Sequence, residues 1–568
     1  MLFGYIVPSV AFISLLSLIA LLISDRKGIT RLLSRSIDRR SLSMALIAAL
    51  FFVIISLLFV RPTEQLYFDE NIYQGVALNI LHHWNALWCQ YGTGNVAQCF
   101  NSALYHDPVE WAFFIAMAFA IFGAGRGTAH ALQLFVGALS ILLIFILTAL
   151  LTQKKRIAVL SSFMLATMPL LFIWARTEAV LDLPFMMLSI LAFISMLIFV
   201  NRRNIKTFGI LISSLVLLAY VRSEAMLLLP LILLLSLVYG EKGMRKTASA
   251  RIKVATKHFS NNALFLAALL AFILLLLPQF YYLGNELSTG NYGQSYTSQK
   301  LFSFSNFAHN ANANISFLLG AFNISTMYPS IFPETVTIFA VAGGIFLAFD
   351  RRIKNRWGML LLLLGWFLLY FLFYGFFYAG AATFGVDSRF MLQLVPGLVI
   401  LASIAIYEIS EAAQRRFRLG RRLSVMAYSA LFLVVSLIPL LLLFPITSQN
   451  PQNTQLQYGI AHSVTFIYNN YQKVPSNCLV FSFTPDVWYG LNRSSAQISY
   501  ISENAFMYRH FSCLVFDYGY WCVVPPYHNT TCSNILDTHA LSSIATENVG
   551  LSANVSLYII DVNSTHST

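Results

Sequence analysis

The hydrophobic positions of this 568-residue chain gather in long blocks rather than in the short amphipathic periods of a soluble domain. A helix needs about 20 mostly apolar residues to cross the hydrocarbon core of a bilayer. Blocks of this kind recur up to about residue 445 and predict twelve membrane-spanning helices. The predicted spans are 3–24, 42–60, 128–151, 157–174, 183–200, 207–221, 225–240, 262–280, 334–349, 358–378, 390–408 and 425–445.

The pattern changes after about residue 446, where short runs rich in β-branched and aromatic residues alternate with turn residues. Such runs are typical of strands in a small α/β domain. We therefore predict a polytopic α-helical membrane domain over residues 1–445 and a small extracytoplasmic α/β domain over residues 446–568. The predicted strand regions are 478–483, 496–501, 513–522 and 555–561.

Composition agrees with this division and excludes most soluble classes. The chain is 58% hydrophobic and only 10% charged, with a mean hydropathy of +0.69. The net charge is +13, and most of the basic residues lie in every second linker between spans. This is the positive-inside pattern, so we expect these linkers to face the cytoplasm. We therefore do not expect them to bind nucleic acid. The six basic linkers hold 27 of the 36 Lys and Arg residues and are 25–41, 152–156, 201–206, 241–258, 350–356 and 411–422.

The remaining long segments, 61–127, 281–333 and 446–568, are then predicted to lie outside. All six cysteines fall in them, as is expected of disulfides in an oxidising compartment, with Cys89–Cys99 the obvious local pair. The other four cysteines, Cys478, Cys513, Cys522 and Cys532, allow three pairings. All six N-x-S/T sequons also lie outside, and their predicted glycosylation sites are Asn314, Asn323, Asn492, Asn529, Asn554 and Asn563.

These features predict a multi-pass integral membrane protein. Residues 1–24 lack the charged region and the cleavage site of a signal peptide, so we expect an uncleaved first span. We expect the membrane to be the plasma membrane of a prokaryote, with an archaeal one favoured, or that of the endoplasmic reticulum.

The apolar stretch 109–123 is short, and counting it as a span would invert the charge pattern, so it is expected to be juxtamembrane or re-entrant. Loop 281–333 is polar and long enough to be a lid or to face an acceptor.

Few ionisable residues lie on the predicted outer side, and most sit next to the ends of spans. Charges near the bilayer are costly, so they are expected to be functional or to form buried ion pairs. The carboxylates Asp69 and Glu70 open the first outer loop as a candidate base and its neighbour, or as the N-terminal cap of the next helix. Further candidates are His106, Asp107, Asp182, Arg176, Arg222 and Arg389, of which the arginines suit a phosphate group.

Several short blocks resemble the GT-C superfamily of glycosyltransferases, and within it the protein mannosyltransferase and lipid A aminoarabinose transferase branch. The resemblance covers residues 42–400, and the blocks agree in order, spacing and side of the membrane. They are FDE at 68–70, HDP at 106–108, the single Arg126, WARTEAVLDLP at 174–184, YVRSEAMLLLP at 220–230 and VDSRFMLQLVP at 386–396.

The resemblance implies transfer of a sugar, with inversion, from a polyprenyl-phosphate donor (dolichyl or undecaprenyl) to a hydroxyl of a protein, lipid or glycan acceptor. It implies that Asp69 is the general base, that Glu70 is its neighbour and that Asp182 helps to shape the site. Arg222 and Arg389 would hold the donor phosphate, with Arg176, His106 and Asp107 as further contacts. No cofactor is required by this scheme, and a divalent metal is compatible with it, although no metal ligands are assigned.

Two alternatives stay open. A transporter or lipid-linked sugar flippase would place charges near the bilayer midplane and show internal repeats, whereas here the charges cluster at outer helix ends and no repeat is visible. An oligosaccharyltransferase would carry a W-W-D-x-G block in its outer domain. The run 517–521 has similar letters in another order, D-Y-G-Y-W.

Overall fold

A computed structural model gives the architecture of the chain. It describes residues 2–60, 69–93, 98–103, 110–176, 179–238, 263–289, 302–320, 332–353, 355–382, 387–416, 430–431, 434–435, 455–501, 511–523, 530–548 and 554–561.

The described residues of the N-terminal half form helices and one hairpin. Its helices are α1 (Leu2–Ser24), α2 (Arg26–Leu33), α3 (Arg39–Phe59), α4 (Asp69–His83), α5 (Glu110–Phe122), α6 (Arg126–Thr152), α7 (Lys155–Ala166), α8 (Pro169–Arg176), α9 (Asp182–Arg202), α10 (Ile205–Val221) and α11 (Leu228–Val238).

Five further helices complete the membrane part and lead to the C-terminal domain. They are α12 (Ala263–Thr289), α13 (Phe304–Leu318), α14 (Glu334–Phe349), α15 (Arg356–Phe376) and α16 (Val395–Arg416). Two 3₁₀ turns, Ser223–Leu227 and Asp387–Gln393, stand at the starts of α11 and α16.

Within the described residues, seven helices are long and apolar enough to cross a membrane, or eight if the bent pair α7–α8 is one span. This confirms a multi-pass α-helical membrane protein. Eleven of the twelve predicted spans coincide with helical segments, although three of them (207–221, 225–240 and 334–349) correspond to helices shorter than 18 residues. Most of the twelfth, 425–445, lies outside the described residues, so the number twelve stays a prediction.

The predicted span 157–174 is not one continuous helix. It is divided into α7 and α8, whose axes differ by 56°. The break precedes Pro169, which has no N–H to donate to a preceding turn and whose ring disfavours a helical conformation in the residue before it. The Thr167 hydroxyl donates to the carbonyls of Phe163 and Met164 and so supports the end of α7.

Segment 281–333, predicted to lie outside, contains more helix than a polar loop would. Helix α12 continues to Thr289, and α13 occupies 304–318. Asn310 and Asn314, four residues apart on one face of α13, bind backbone groups that follow α15. Residues 304–318, predicted as part of a loop, are therefore helical and docked on the membrane domain, and the role of the segment as a lid or acceptor-facing element stays a prediction.

Several predicted cytoplasmic linkers meet at one end of the helix bundle. Their basic residues pair with carboxylates that belong to other linkers or to nearby helix ends, so the linkers share one side of the protein. The pairs are Arg202–Asp25 (3.1 Å), Lys154–Glu408 (2.7 Å), Lys155–Asp38 (2.5 Å) and Arg156–Glu411 (4.0 Å).

The C-terminal region forms a mixed α/β domain, as predicted. Its helices are α17 (Gln455–Asn470), α18 (Pro485–Gly490), α19 (Tyr520–Val523) and α20 (Thr530–Thr538). Together with the first outer segment it contributes the strands β1 (Trp88–Thr93), β2 (Gln98–Ala103), β3 (Cys478–Ser482), β4 (Ser494–Gln497), β5 (Cys513–Tyr518), β6 (Leu541–Asn548) and β7 (Asn554–Ile560).

These strands form a single seven-stranded sheet in the order β2-β1-β4-β3-β5-β7-β6. Strand β3 lies parallel to β4 and to β5, whereas β1 joins β4 antiparallel with Tyr91 opposite Ala496. The hairpin β1–β2 comes from outer segment 61–127, so the sheet unites that segment with the C-terminal domain. The sequence predicted neither this hairpin nor β6.

Three disulfides connect the six cysteines. Cys89–Cys99 closes the hairpin as predicted, with Cα atoms 5.7 Å apart. Of the three pairings left open, the structure contains Cys478–Cys513, which joins neighbouring positions of β3 and β5, and Cys522–Cys532.

The predicted glycosylation sites differ in accessibility. Asn492 and Asn554 are exposed, whereas Asn323, Asn529 and Asn563 lie outside the described residues. Asn314 is completely buried, its side-chain amide donates to the Gly380 carbonyl, and its oxygen accepts from the Ala382 amide. A glycan on Asn314 is incompatible with this packing, which corrects the prediction for that sequon.

Candidate active site

Four of the predicted site residues come together at one end of the membrane helices. Arg389 Nη1 lies 3.3 Å from Asp69 Oδ2, and Arg389 Nε lies 3.8 Å from Asp182 Oδ2. Arg222 Nη1 bonds to Asp182 Oδ1. Asp182 thus lies between the two arginines, and Asp69 lies at the outer end of the series.

Each of these residues stands at the boundary of a secondary-structure element, where the chain can turn a side chain toward the centre. Asp69 and Asp182 are the first residues of α4 and α9. A carboxylate at this position is stabilised by the positive end of the helix dipole. Arg222 ends α10, and Arg389 lies in the 3₁₀ turn Asp387–Gln393. Gln393 of the same turn donates to the Asp182 carbonyl at 3.0 Å, which connects the turn to α9.

Arg222 is held between two carboxylates. It bonds to Asp182 on one side and to Glu224 on the other, and the Tyr374 hydroxyl donates to Glu224 at 3.2 Å. Its side chain is 7% exposed, half the 14% of Arg389. Arg222 is therefore better placed to hold the site together than to receive a new anion.

One aromatic ring lies against both guanidinium groups. The Phe390 ring centre lies 4.9 Å from Arg222 Cζ and 5.3 Å from Arg389 Cζ. Phe390 is itself stacked on Tyr374 at 4.9 Å. Cations at such distances from a ring face are stabilised by its quadrupole.

Glu70 belongs to a second cluster on the other side of α4. Its buried Oε1 lies 2.7 Å from His130 Nε2 and 3.7 Å from Arg126 Nε, and accepts a bond from Gln74. His130 Nδ1 lies 3.2 Å from the Arg176 carbonyl. Glu70 thus anchors the first turn of α4, whereas Asp69 faces the arginine series.

Arg176 does not join the arginine series among the described contacts, since its Nε donates to the Val60 carbonyl at 3.3 Å. His106 and Asp107 lie outside the described residues. The sequence did not identify His130 or Tyr374 as parts of the site. The only signal for His130 is its position four residues after Arg126 on one face of α6.

The arrangement offers one accessible carboxylate beside one accessible cation. The Asp69 side chain is 16% exposed, against 1% for Asp182 and 6% for Glu224. An accessible carboxylate can accept a proton, and the neighbouring guanidinium can bind a phosphate through two donors. In the described part of the chain, no group of three or more His, Cys, Asp or Glu residues is arranged to hold a metal ion.

Comparison with known proteins gives a partial family match. Residues 106–256, about a quarter of the chain, match the model of the dolichyl-phosphate-mannose-protein mannosyltransferase family. This stretch includes His130, Arg176, Asp182 and Arg222. No curated protein matches the chain.

Two kinds of solved structure have a similar fold. ArnT from Cupriavidus metallidurans in the apo state has a TM-score of 0.53 at 11% identity, over 93% of this chain and 99% of ArnT. ArnT bound to undecaprenyl phosphate has a TM-score of 0.51 at 12% identity, over the same shares. The archaeal oligosaccharyltransferase AglB from Archaeoglobus fulgidus, in complex with an inhibitory peptide and a dolichol-phosphate, has a TM-score of 0.51 at 14% identity, over 84% of this chain.

The share of the solved structure that this chain spans differs between AglB and ArnT. The chain spans 64% to 69% of the length of the archaeal oligosaccharyltransferase chains but 99% of ArnT. At these identities the likeness shows the fold, and the family model adds a sequence match within the helices that carry the site. Together, the shared fold and the match of residues 106–256 support a glycosyltransferase of the GT-C superfamily.

Proposed function

We propose that this protein transfers a sugar from a polyprenyl-phosphate donor to an acceptor hydroxyl, with inversion at the anomeric carbon. The observation that carries this proposal is the contact of Asp69 with Arg389 at 3.3 Å. It places the most accessible carboxylate of the site beside the more accessible of the two arginines that pair with Asp182. The similar ArnT and AglB structures contain undecaprenyl phosphate and dolichol-phosphate, which supports a donor of the same class.

The reaction needs one base and a good leaving group. Asp69 takes the proton of the acceptor hydroxyl while the hydroxyl oxygen forms a bond to the anomeric carbon. The bond from that carbon to the phosphate oxygen breaks, and its electron pair leaves with the polyprenyl phosphate. Glycosidases use a second carboxyl to protonate a poor leaving group. A phosphate leaves as a stable anion, so positive charge can take the place of that acid.

Arg389 is the residue that we assign to the phosphate. Its guanidinium contacts both Asp69 and Asp182, so a phosphate bound to Arg389 would lie next to the proposed base Asp69. Binding of the phosphate would compete with Asp69 for the same guanidinium and so leave the carboxylate available for the acceptor proton. Arg222, paired with Asp182 and Glu224, maintains the shape of the site.

The site is proposed to lie at the extracytoplasmic face. Helix α9 begins at Asp182 in the site and ends at Arg202, whose partner Asp25 belongs to a basic linker. Its 21 residues span roughly 30 Å at 1.5 Å per residue, about the thickness of the hydrocarbon core. The site and the positive linkers therefore stand at opposite ends of one span, and positive linkers face the cytoplasm.

The same orientation leads to proposals for the rest of the chain. Residues 1–445 would form the transferase domain and residues 446–568 an outer domain, with the boundary itself outside the described residues. Exposed Asn492 and Asn554 are then available for glycosylation. The protein, lipid or glycan acceptor would approach from the outer side, over the sheet that β1 and β4 join.

An oligosaccharyltransferase is the second candidate, because the AglB likeness includes most of this chain. The acceptor would then be an asparagine amide and the donor a lipid-linked oligosaccharide. Asp517, in the run 517–521, is buried and accepts bonds from Ser482 and Trp488 within the domain. This structural role gives no specific support to an acceptor-binding block at that position.

The proposal is tested with the purified full chain in lipid nanodiscs. Dolichyl-phosphate and undecaprenyl-phosphate carrying a radiolabelled mannose or aminoarabinose are each supplied with native membrane extract as acceptor. Covalently bound label in a protein, lipid or glycan product, dependent on the chain, is the expected result. In parallel, the chain is placed in proteoliposomes, where label that crosses the bilayer without covalent transfer would show a transporter. A labelled lipid-linked oligosaccharide is also supplied with a sequon peptide, and transfer in that reaction alone would show an oligosaccharyltransferase.

A further inference from the structure

Helix α4, which presents Asp69, is in direct contact with the C-terminal domain. The contact is made by Asp486 in the first turn of α18, a residue that is only 4% exposed. Its Oδ2 accepts a bond of 2.9 Å from Trp88 Nε1, at the start of strand β1. Its Oδ1 lies against Gly75, in the middle of α4.

The fit at Gly75 leaves no space for a side chain. A Cβ atom at this position would lie 1.9 Å from Asp486 Oδ1 and 2.6 Å from its Cγ. Glycine destabilises the interior of a helix relative to alanine, so its use here is explained by this close approach. The carboxylate of Asp486 therefore fixes how closely, and at which height, α18 meets α4.

A second set of contacts holds the same region. Strand β1, which follows α4 closely, pairs with β4 of the C-terminal domain, with Tyr91 opposite Ala496. The Tyr489 hydroxyl of α18 donates to the Ser495 carbonyl of β4 at 2.7 Å. These contacts join helix α18, strand β4 and the hairpin into one unit, here called the support. Asp486 is the residue of the support that contacts α4.

The distance from this support to the base is short. Gly75 follows Asp69 by six residues, which is roughly 9 Å along a helix. Asp69 Oδ2 lies 3.3 Å from Arg389 Nη1, so a small shift of α4 along its axis would change that contact. Displacements of about 1 Å in a catalytic group can cost roughly 100-fold in rate.

We propose that Asp486 is a positioning residue for the transfer reaction: through Gly75 and Trp88 it holds α4 so that Asp69 stays beside Arg389. The outer domain thus completes the active site as well as facing the acceptor. This inference rests on the proposed role of Asp69.

The test is a rescue experiment on the full chain in nanodiscs, with the labelled donor and extract described above. Gly75→Ala places a methyl group on Asp486 and is expected to lower kcat at least tenfold, with the donor KM within twofold of wild type. Asp486→Ala removes the carboxylate that this methyl group meets, but it also removes the contact that holds α4. The double variant is therefore expected to recover kcat at least threefold over Gly75→Ala and to stay below wild type. Gly490→Ala, on the same helix α18 but with open space around its Cβ position, is the matched control.

A second readout does not depend on activity. Asp69→Cys and Arg389→Cys are combined and treated with a short bis-methanethiosulfonate cross-linker, with Gly75→Ala added or with Gly75→Ala and Asp486→Ala added. The cross-link yield is expected to fall with Gly75→Ala and to recover in the double variant. The inference is overturned if Gly75→Ala behaves as Gly490→Ala does, or if the double variant recovers neither kcat nor cross-linking.

The two readouts also separate this inference from the proposed function. A chain that transfers no sugar but shows loss and recovery of the cross-link contradicts the transferase and retains the positioning of α4. If transfer depends on Asp69, but Gly75→Ala and Asp486→Ala change neither kcat nor the cross-link yield, only the positioning role of Asp486 is contradicted.

Discussion

Asp69 and Arg389 are 320 residues apart in the sequence, and their side chains meet with Oδ2 3.3 Å from Nη1. Arg389 also lies 3.8 Å from Asp182, which in turn bonds to Arg222. The two arginines are therefore not equivalent. Arg389 is at the accessible end of the series, whereas Arg222 is enclosed by carboxylates. This difference leads to distinct predictions for the two residues.

Replacement of Arg389 is expected to affect the reaction more than the fold. Arg389→Lys keeps a positive charge but loses the planar fork that binds two phosphate oxygens, so we expect the donor KM to rise and kcat to fall about tenfold or more. Steady-state transfer with varied donor concentration measures both constants. Wild-type constants in this variant would remove Arg389 from the phosphate site.

Replacement of Arg222 is expected to affect the fold first. Arg222→Ala leaves the buried carboxylates of Asp182 and Glu224 without their shared cation. Removal of one partner from a buried ion pair costs on the order of 3–5 kcal/mol. A clear fall in the melting temperature in detergent, larger than that of Arg389→Ala, is therefore expected. Equal melting temperatures for the two alanine variants would contradict this assignment.

The burial of Asn314 predicts an uneven pattern of glycosylation. In a host that glycosylates N-x-S/T sequons, exposed Asn492 and Asn554 are expected to carry glycans, whereas Asn314 carries none. Glycopeptide mass spectrometry of the folded, purified protein measures occupancy at each site. A glycan at Asn314 in a substantial fraction of folded molecules would mean that α13 does not dock on the residues after α15 as described here.

Asp517 predicts a pH dependence of the C-terminal domain. Burial raises the pKa of Asp517 from 3.8 to about 6, while bonds from Ser482 and Trp488 oppose the rise. Between about pH 4 and pH 6 the folded domain keeps a proton that the unfolded chain has lost, so the free energy of unfolding decreases as the pH rises through this range. A difference of about two in pKa corresponds to roughly 3 kcal/mol.

Thermal unfolding of the full chain, followed by the fluorescence of its tryptophans from pH 4 to pH 7, measures this effect. Asp517→Asn has no ionisable group and is expected to weaken the dependence between pH 4 and pH 6. Exposed Asp537→Asn is the matched control and should retain it. An unchanged slope in Asp517→Asn would assign the pH dependence to other groups.

Sequence patterns predicted the membrane domain well because long apolar blocks have few alternatives to a spanning helix. The same patterns could not show the break before Pro169 as a 56° bend, since a proline alone does not fix the angle between two helices. They also missed the hairpin at 88–103, whose strand β1 pairs with β4 some 400 residues away, a partner that a local pattern does not show. The disulfide Cys478–Cys513 required the sheet, because it joins neighbouring positions of β3 and β5, and once it is known Cys522–Cys532 is the pair that remains.

For the candidate site, the sequence identified the charges but not their partners. Asp69, Asp182, Arg222 and Arg389 stood out because ionisable groups are rare at the ends of apolar segments. The different partners of Asp69 and Glu70 could not be predicted, since only the direction of each side chain in α4 separates the two clusters. Tyr374 and His130 lie inside helices whose sequences resemble those of ordinary buried spans, so nothing in the pattern identified them.

The central claim is that Asp69 accepts the acceptor proton in transfer from a lipid phosphate. Its most direct test is the single-turnover rate of Asp69→Asn with a saturating labelled polyprenyl-phosphate sugar, measured beside wild type and Asp537→Asn. Asn is close in size to Asp but is not a base at neutral pH, so we expect the rate to fall at least 100-fold while donor binding and melting temperature stay near wild type. A single-turnover rate within a fewfold of wild type would contradict the claim and remove Asp69 from the reaction.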